Sequence, residues 1–196
     1  MSIVEEAIGL CYEGMSEDDG HKILDELMGK HDVEKKWHPS KFRIGINTTK
    51  SFRDISEESV TLEDGDLVFI DIGPVVDDHE GDFGKTFVFG KNDSRSKIIS
   101  DLDAIFEKVK LKWERENLTG IDLYRYASQI VDDYGYILND RMKGHRIGDF
   151  PHHLFYRGGL NEFDECPKSG LWILELHILS SDQTYGAFFE DILERS

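Results

Sequence analysis

The chain has 196 residues, 39% hydrophobic and 32% charged, which suits one soluble globular domain with room for a real core. A formal net charge of −17 with no basic patch to offset it excludes a nucleic-acid partner; part of it is open to neutralisation by divalent cations, and the rest reads as a solubilising surface. No apolar stretch reaches the ~20 residues of a membrane helix, Met1-Ser2-Ile3-Val4-Glu5-Glu6 does not resemble a signal peptide, and two cysteines, Cys11 and Cys166, without zinc-ligand spacing fit a reducing cytoplasm better than a disulfide framework.

Ile3, Val4, Ala7, Ile8, Leu10 and Cys11 form a helical stripe over 3–14 that Gly14 ends. Ser16 then reads as an N-cap followed by acids, opening a helix to about Lys30 with Ile23, Leu24 and Leu27 buried; Gly20 weakens it. A strand is expected at about 41–46. Before it, Trp37 and His38 precede Pro39 and read as a packed loop corner, the alternative being that His38 or Asn47 lines an active site. Residues 48–65 are polar and read as a loop. Leu67 to Ile72 and Thr86 to Phe89 are short apolar runs, and Gly73-Pro74, Asp77-Asp78 and Gly81 punctuate a reversal between them, so the two are expected to be neighbouring antiparallel strands. From Ser94 to about Glu116 a helix carries Ile98, Ile99, Leu102, Ile105, Phe106, Val109 and Trp113 inward, and Thr119-Gly120-Ile121-Asp122 opens another that Tyr134-Gly135 ends. Leu171 to Ile178 is a further strand. Neither an internal repeat nor a linker is visible, so residues 1–196 are read as one domain.

Several acids and histidines stand out against this background. Asp71 lies inside the run Leu67-Val68-Phe69-Ile70-Asp71-Ile72, where a buried carboxylate is costly unless paired or metal-bound. Asp82 follows eleven residues later; beside Gly73 and Gly81, both acids can also be read as turn formers. Glu175 presents the same anomaly in its strand, with solvent exposure at a sheet edge as the plain alternative. His177 shares the face of Glu175 and reads equally as a packed histidine or as a partner to a ligand. His145 and His152 are seven apart in a glycine-flanked segment, and Glu190 lies in a last apolar stretch with Asp191 as its competitor.

The frame Gly65-Asp66 … Asp71-Ile72-Gly73 … Gly81-Asp82 … Thr86-Phe87 resembles the metal-binding hairpin of the pita-bread metallopeptidases, the family of methionine aminopeptidase, aminopeptidase P, prolidase and creatinase. His145 … Ile147-Gly148 … His152, then Glu175, then Gly186-Ala187-Phe188-Phe189-Glu190-Asp191 follow in that family's order, and Gly14-Met15-Ser16-Glu17 matches its turn between helices. The resemblance covers essentially the whole chain and implies a bare catalytic domain, without the extra N-terminal domain of aminopeptidase P and prolidase. It implies an α+β pita-bread fold, a curved, mostly antiparallel sheet with helices on its outer face and the active site on the concave side.

It also implies two divalent metal ions, manganese or cobalt first, with zinc or iron possible. Asp71 and Asp82 would hold one ion, His145 and Glu175 the other, with Asp82 and Glu190 bridging. Four clustered carboxylates raise one another's pKa, two divalent ions balance their charge, and a carboxylate–imidazole set suits these metals. Catalytic roles fall to His152, steadying an oxyanion, and to Glu175 or Glu190, carrying the proton. Arg146 replaces the family's usual glycine and Phe150-Pro151-His152-His153 is unusual, pointing to a distinct pocket; His153 reads as packing. The implied activity is that of an aminopeptidase or Xaa-Pro-type peptidase on a short peptide or small amide. The competitors are a C–N hydrolase acting on a small metabolite and a non-catalytic binding domain; a homodimer is left open.

Overall fold

Residues 3–195 are described in a computed structural model. In chain order the elements run α1 (Ile3–Gly9), α2 (Glu17–Lys30), β1 (Lys35–Lys36), β2 (Lys41–Ile44), β3 (Leu67–Ile72), β4 (Pro74–Val76), β5 (His79–Glu80) and β6 (Phe83–Val88). They continue with α3 (Asp93–Glu116), α4 (Gly120–Asp133), β7 (Ile137–Leu138), β8 (His145–Arg146), β9 (Trp172–Leu179) and β10 (Gly186–Ile192). The main sheet is antiparallel in the order β2-β3-β6-β10-β9-β7, with β8 also on β9; a small sheet has the order β1-β4-β5.

Strand alternation assigns the two faces of the main sheet. Leu174, Leu176 and Ile178 of β9 are buried in one cluster with Ile98, Leu102, Ile105, Phe106, Val109 and Trp113 of α3 and Leu123, Ala127 and Val131 of α4. Val68, Ile70 and Ile72 of β3 are buried in a second cluster with Val4 and Ala7 of α1 and Leu24, Leu27 and Met28 of α2. Both helix pairs therefore cover one face, and Asp71, Glu175 and His177 project from the other. At about 1.5–3 kcal/mol per fully buried aliphatic or aromatic side chain, these two layers dominate the stability of the scaffold. Gly20 has a packing use that offsets its low helix propensity: a Cβ there would lie 2.4 Å from the Phe42 ring, so the glycine lets the helix settle onto β2.

The second, third and fourth helices form as expected. Ser16 and Asp19 close a reciprocal capping box on α2, Asn92 caps α3 and Thr119 caps α4. The first helix is shorter than its stripe suggests. It stops at Gly9, because Gly14 (φ 84°) turns the chain toward residue 62, with Gly14 N donating to Leu62 O at 2.7 Å and Leu62 N to Met15 O at 2.9 Å. Leu10 is consequently 52% exposed. Similarly β2 ends at Ile44, short of 46, because Gly45 (φ 56°) diverts the backbone into a turn of 3-10 helix over Gly45–Thr49.

The reversal between β3 and β6 contains its own hairpin. Asp77 and Asp78 both take left-handed φ, 50° and 59°, the backbone that suits a two-residue hairpin turn. That hairpin, β4–β5, recruits β1 by pairing Lys36 with Pro74, and β6 starts at Phe83, ahead of the expected Thr86. On the far edge, Glu80 N donates to Gly148 O and Phe150 N to Asp78 O, at 2.9 and 2.8 Å. The small sheet thus brings residues 37–38 and 148–152 to the same place. Among the described residues no helix is long and apolar enough to cross a membrane.

Candidate metal centre

Sheet register places three acids in one line. Asp71 of β3 pairs with Gly84 of β6, Gly84 with Glu190 of β10, and Glu190 with Glu175 of β9. Gly84 is the gap in that line: a Cβ there would lie 2.7 Å from Glu190 Oε1 and 2.2 Å from Phe188 Cε1. Thr86 keeps β10 in place, its hydroxyl accepting from Phe188 N at 2.7 Å and donating to Phe188 O at 2.9 Å. Asp82, just before β6, enters at the end of the line with its side chain only 1% exposed.

Asp82 stands between two histidines. His145 Nε2 lies 2.8 Å from its Oδ2 and His38 Nε2 lies 3.3 Å from its Oδ1. His38 Nε2 is also 3.4 Å from Asp71 Oδ1. Among the described residues, two sets have donor atoms close enough to share an ion, His38 with Asp71 and Asp82, and Asp82 with His145 and Glu190. Glu175 lines the same pocket but belongs to neither set. The chain between β7 and β8 passes beside it, and Lys143 N and Gly144 N donate to its Oε2 at 3.1 and 2.8 Å. His152 is held through Glu80, which accepts from its backbone N at 3.0 Å and from Nδ1 at 2.7 Å. Trp37 is the common wall, its ring 4.1, 4.7 and 5.1 Å from those of His38, His145 and His152.

Burial and mutual repulsion govern the acids. Burial first, and then the charges of Asp82, Asp71 and Glu175, push Glu190 well above the usual carboxylate range. Burial likewise pushes Asp71 up to about 7, with His38 opposing and Asp82 adding to the rise. It raises Glu175 too, against the pull of His145 and of the Gly144 and Lys143 N–H groups. For Asp82, burial is outweighed by the hydrogen bonds from His145 and His38, which hold it below its ordinary value. Burial works against a charge on His145, yet its bond to Asp82 prevails and brings it to about 9.

Divalent ions fit these residues. Glu190 Oε1 is buried with no hydrogen-bond donor, an arrangement that is costly in a closed protein interior and is relieved by a cation. The neighbouring donors are carboxylate oxygens and imidazole nitrogens, the set preferred by manganese, iron, cobalt and zinc.

The structure brings Asp71, Asp82, His145, Glu175 and Glu190 into one pocket, with His152 beside it. Glu190 rather than Asp191 occupies the line of acids, because β10 alternates and Glu190 is the residue paired with Gly84. His38 is enclosed between the Trp37 and Phe52 rings, as a packed corner would be, and also faces Asp71 and Asp82, the alternative reading. Asn47 does not reach the pocket, since both ends of its amide bind the backbone of Glu57. Nor is His153 packed, being exposed at the surface. Arg146 lies over the Phe155 ring, 4.5 Å from its centroid. Glu80, Gly84 and Gly73 were not singled out from the sequence as site residues. Gly84 and Gly73 lie within the hairpin frame, but their use depends on which neighbours crowd them; Glu80 meets a partner 72 residues away and carries no local signal.

The chain matches the model of metallopeptidase family M24 over residues 1–192. It is 26% identical over 144 residues to an Xaa-Pro dipeptidase of Pyrococcus horikoshii, covering 72% of this chain but 40% of that protein, so it spans less than half of that relative's length. Solved structures share its fold, among them two from Thermotoga maritima. The X-Pro aminopeptidase of Thermotoga maritima superimposes with a TM-score of 0.80 at 19% identity, over 98% of this chain and 55% of the other. The methionine aminopeptidase of Thermotoga maritima gives 0.77 at 16% identity, over 99% and 91%. A family model matched along nearly the whole chain, on a pita-bread fold, means that this protein belongs to metallopeptidase family M24.

Proposed function

We propose that the chain is the catalytic domain of a two-metal peptidase, an aminopeptidase or Xaa-Pro-type enzyme hydrolysing an amide bond of a short peptide. The observation that carries this reading is the line Asp71–Gly84–Glu190–Glu175, with the Glu190 oxygen left bare and Asp82 set between two histidines. Asp71, Asp82, His145, Glu175 and Glu190 would hold two divalent ions, manganese or cobalt first, with Asp82 and Glu190 shared. When bound, such a pair supplies Lewis acidity, polarising the scissile carbonyl and making water nucleophilic near neutral pH.

The side chains divide the remaining work. Glu190 is the better proton carrier of the two glutamates, because its Oε1 has no other partner. Glu175 has one oxygen fixed by two backbone N–H groups, which suits a positioned ligand. His152 commits Nδ1 to Glu80, so its Nε2 donates to an oxyanion only as an imidazolium; burial lowers its pKa below the ordinary value, and the Glu80 carboxylate opposes that fall. Trp37, Phe52 and Met142 supply apolar walls, while Arg141 and Lys143, which also line the pocket, are already paired with Asp54 and Glu162. A cavity of about 180 Å³ has room for a residue or two, not for a folded chain. The Xaa-Pro specificity of the Pyrococcus relative makes Xaa-Pro dipeptides the first substrates to try.

The test is hydrolysis of Met-, Ala- and Xaa-Pro-peptides by the manganese- or cobalt-loaded protein, with Asp82→Ala as control. Metal-dependent cleavage absent from the variant is expected. Bound metal without cleavage of any peptide would redirect the reading to small amides. Absence of metal binding would leave a binding domain.

A further inference from the structure

We propose that His38 ligates the ion held by Asp71 and Asp82, so that each ion of the pair has one imidazole. This rests on the two-metal reading above and adds a nitrogen to a side of the centre where the family resemblance assigns only carboxylates.

The two histidines are placed alike around Asp82. His145 Nε2 faces one carboxylate oxygen at 2.8 Å and His38 Nε2 faces the other at 3.3 Å. In each ring Nδ1 is within hydrogen-bond distance of a backbone carbonyl, Arg146 O at 2.8 Å for His145 and Pro39 O at 2.9 Å for His38. A carbonyl can only accept, so Nδ1 carries the hydrogen and the Nε2 lone pair of the neutral ring points at carboxylate oxygens. Without metal these contacts hold only if a second proton makes each ring a donor; with the ring neutral, the same geometry offers both lone pairs to a cation shared with the carboxylates, and a ligating histidine commonly has its other nitrogen tied in this manner. His38 offers its lone pair to Asp71 Oδ1 as well, at 3.4 Å, giving a three-donor set of one nitrogen and two carboxylates.

The placement is built into the backbone. A Cβ on Gly73 would sit 2.2 Å from His38 Cδ2 and 2.6 Å from Trp37 Nε1, so the glycine makes the space that the imidazole fills. Trp37 N donates to Gly73 O at 3.0 Å and Trp37 Nε1 to Gly81 O at 2.9 Å, clamping the residue before His38 onto both ends of the small hairpin. The His38 side chain is 8% exposed, too enclosed for an idle surface group. A nitrogen on this side would also move the metal preference of that site from manganese toward cobalt, iron or zinc.

The experiment titrates the metal-free full chain with Co²⁺ alone, by calorimetry and visible absorption, and counts imidazoles per cobalt by X-ray absorption. Wild type should bind two Co²⁺ with an average of one imidazole each. His38→Ala and the bulkier His38→Gln should each weaken one of the two sites at least ~10-fold and halve the imidazole count. His145→Ala should weaken the other site. Wild-type affinities and an unchanged cobalt spectrum in both His38 variants would overturn the proposal while leaving the two-metal reading intact. Half an imidazole per cobalt in the wild-type protein would do the same without any variant. A wild-type chain that binds no Co²⁺ would instead defeat the two-metal reading, and His38 with it.

Discussion

Two neighbouring rows on the same face of the sheet make opposite use of buried polar groups. One is Asp71–Gly84–Glu190–Glu175 and the other, two residues along each strand, is Phe69–Thr86–Phe188–His177. In the second row everything is satisfied within the chain. His177 donates through Nε2 to Thr48 O at 2.7 Å and accepts at Nδ1 from Asn139 Nδ2 at 3.0 Å, while the Thr86 hydroxyl both donates to and accepts from the backbone of Phe188. In the first row Glu190 Oε1 has no donor and the acids crowd one another. Burial is similar in the two rows. What differs is whether the protein supplies the partners, and where it does not, the missing partner is a cation.

The sharpest way to break the contrast is Gly84→Val. Its side chain would enter the space of Glu190 Oε1 and Phe188, so metal content should fall below one ion per chain and peptide hydrolysis to background, as elemental analysis and assay would show. Less drastic is removal of metal from the intact protein. Ions that bind only the folded state stabilise it by about 2.7 kcal/mol each at 100 times their Kd, so chelation should lower the melting temperature. The metal-free protein should also lose stability as pH rises. Glu190 is shifted upward and Asp71 to about 7, so their share is present below the ordinary carboxylate pKa and lost as pH climbs through the shifted ones. Metal-free Glu190→Gln should show a flatter decline than wild type in urea titrations between pH 5 and pH 9; an equally steep decline would show that Glu190 is not strained.

The satisfied row predicts the reverse slope. Burial lowers His177 to about 4 from an ordinary 6.5, so its neutral ring supports the fold fully above pH 6.5, and that support is lost as pH falls toward 4. At about 1.4 kcal/mol per unit, the loss reaches roughly 3 kcal/mol, and it should be missing from the urea midpoints of His177→Gln. The smallest effect is expected for Thr86→Val, which strips the hydroxyl from Phe188 N and O. It should cost about 1–3 kcal/mol and leave two ions bound; loss of metal would mean that the two rows are not independent.

How much of this was legible in the sequence depended on whether the signal was local. α3 reads directly from its 3.6-residue stripe, and the acid-in-apolar-run anomaly at Asp71 and Glu175 marks two strands of one sheet whose acids the register brings into one line across β6 and β10. Choosing Glu190 over Asp191 needed the family frame, and the register then gives the physical reason. α1 was overextended because its apolar spacing continues past Gly9, whereas the chain is pulled away by pairing near Leu62. His38 was read foremost as packing because Trp-His-Pro describes a corner equally well. Only the β1–β4 pairing, with the gap at Gly73, swings that corner into the pocket. Glu80, lying in an acidic turn, cannot announce a partner as distant as His152.

The measurement that bears most directly on the central claim is the number of divalent ions per chain, read by native mass spectrometry on wild type and Asp82→Asn alongside hydrolysis of an Xaa-Pro dipeptide. Asp82 is the residue common to both donor sets. The account predicts two ions and metal-dependent cleavage for wild type, with both ions and cleavage lost together in the variant. A folded Asp82→Asn protein that keeps two ions and full activity would contradict it.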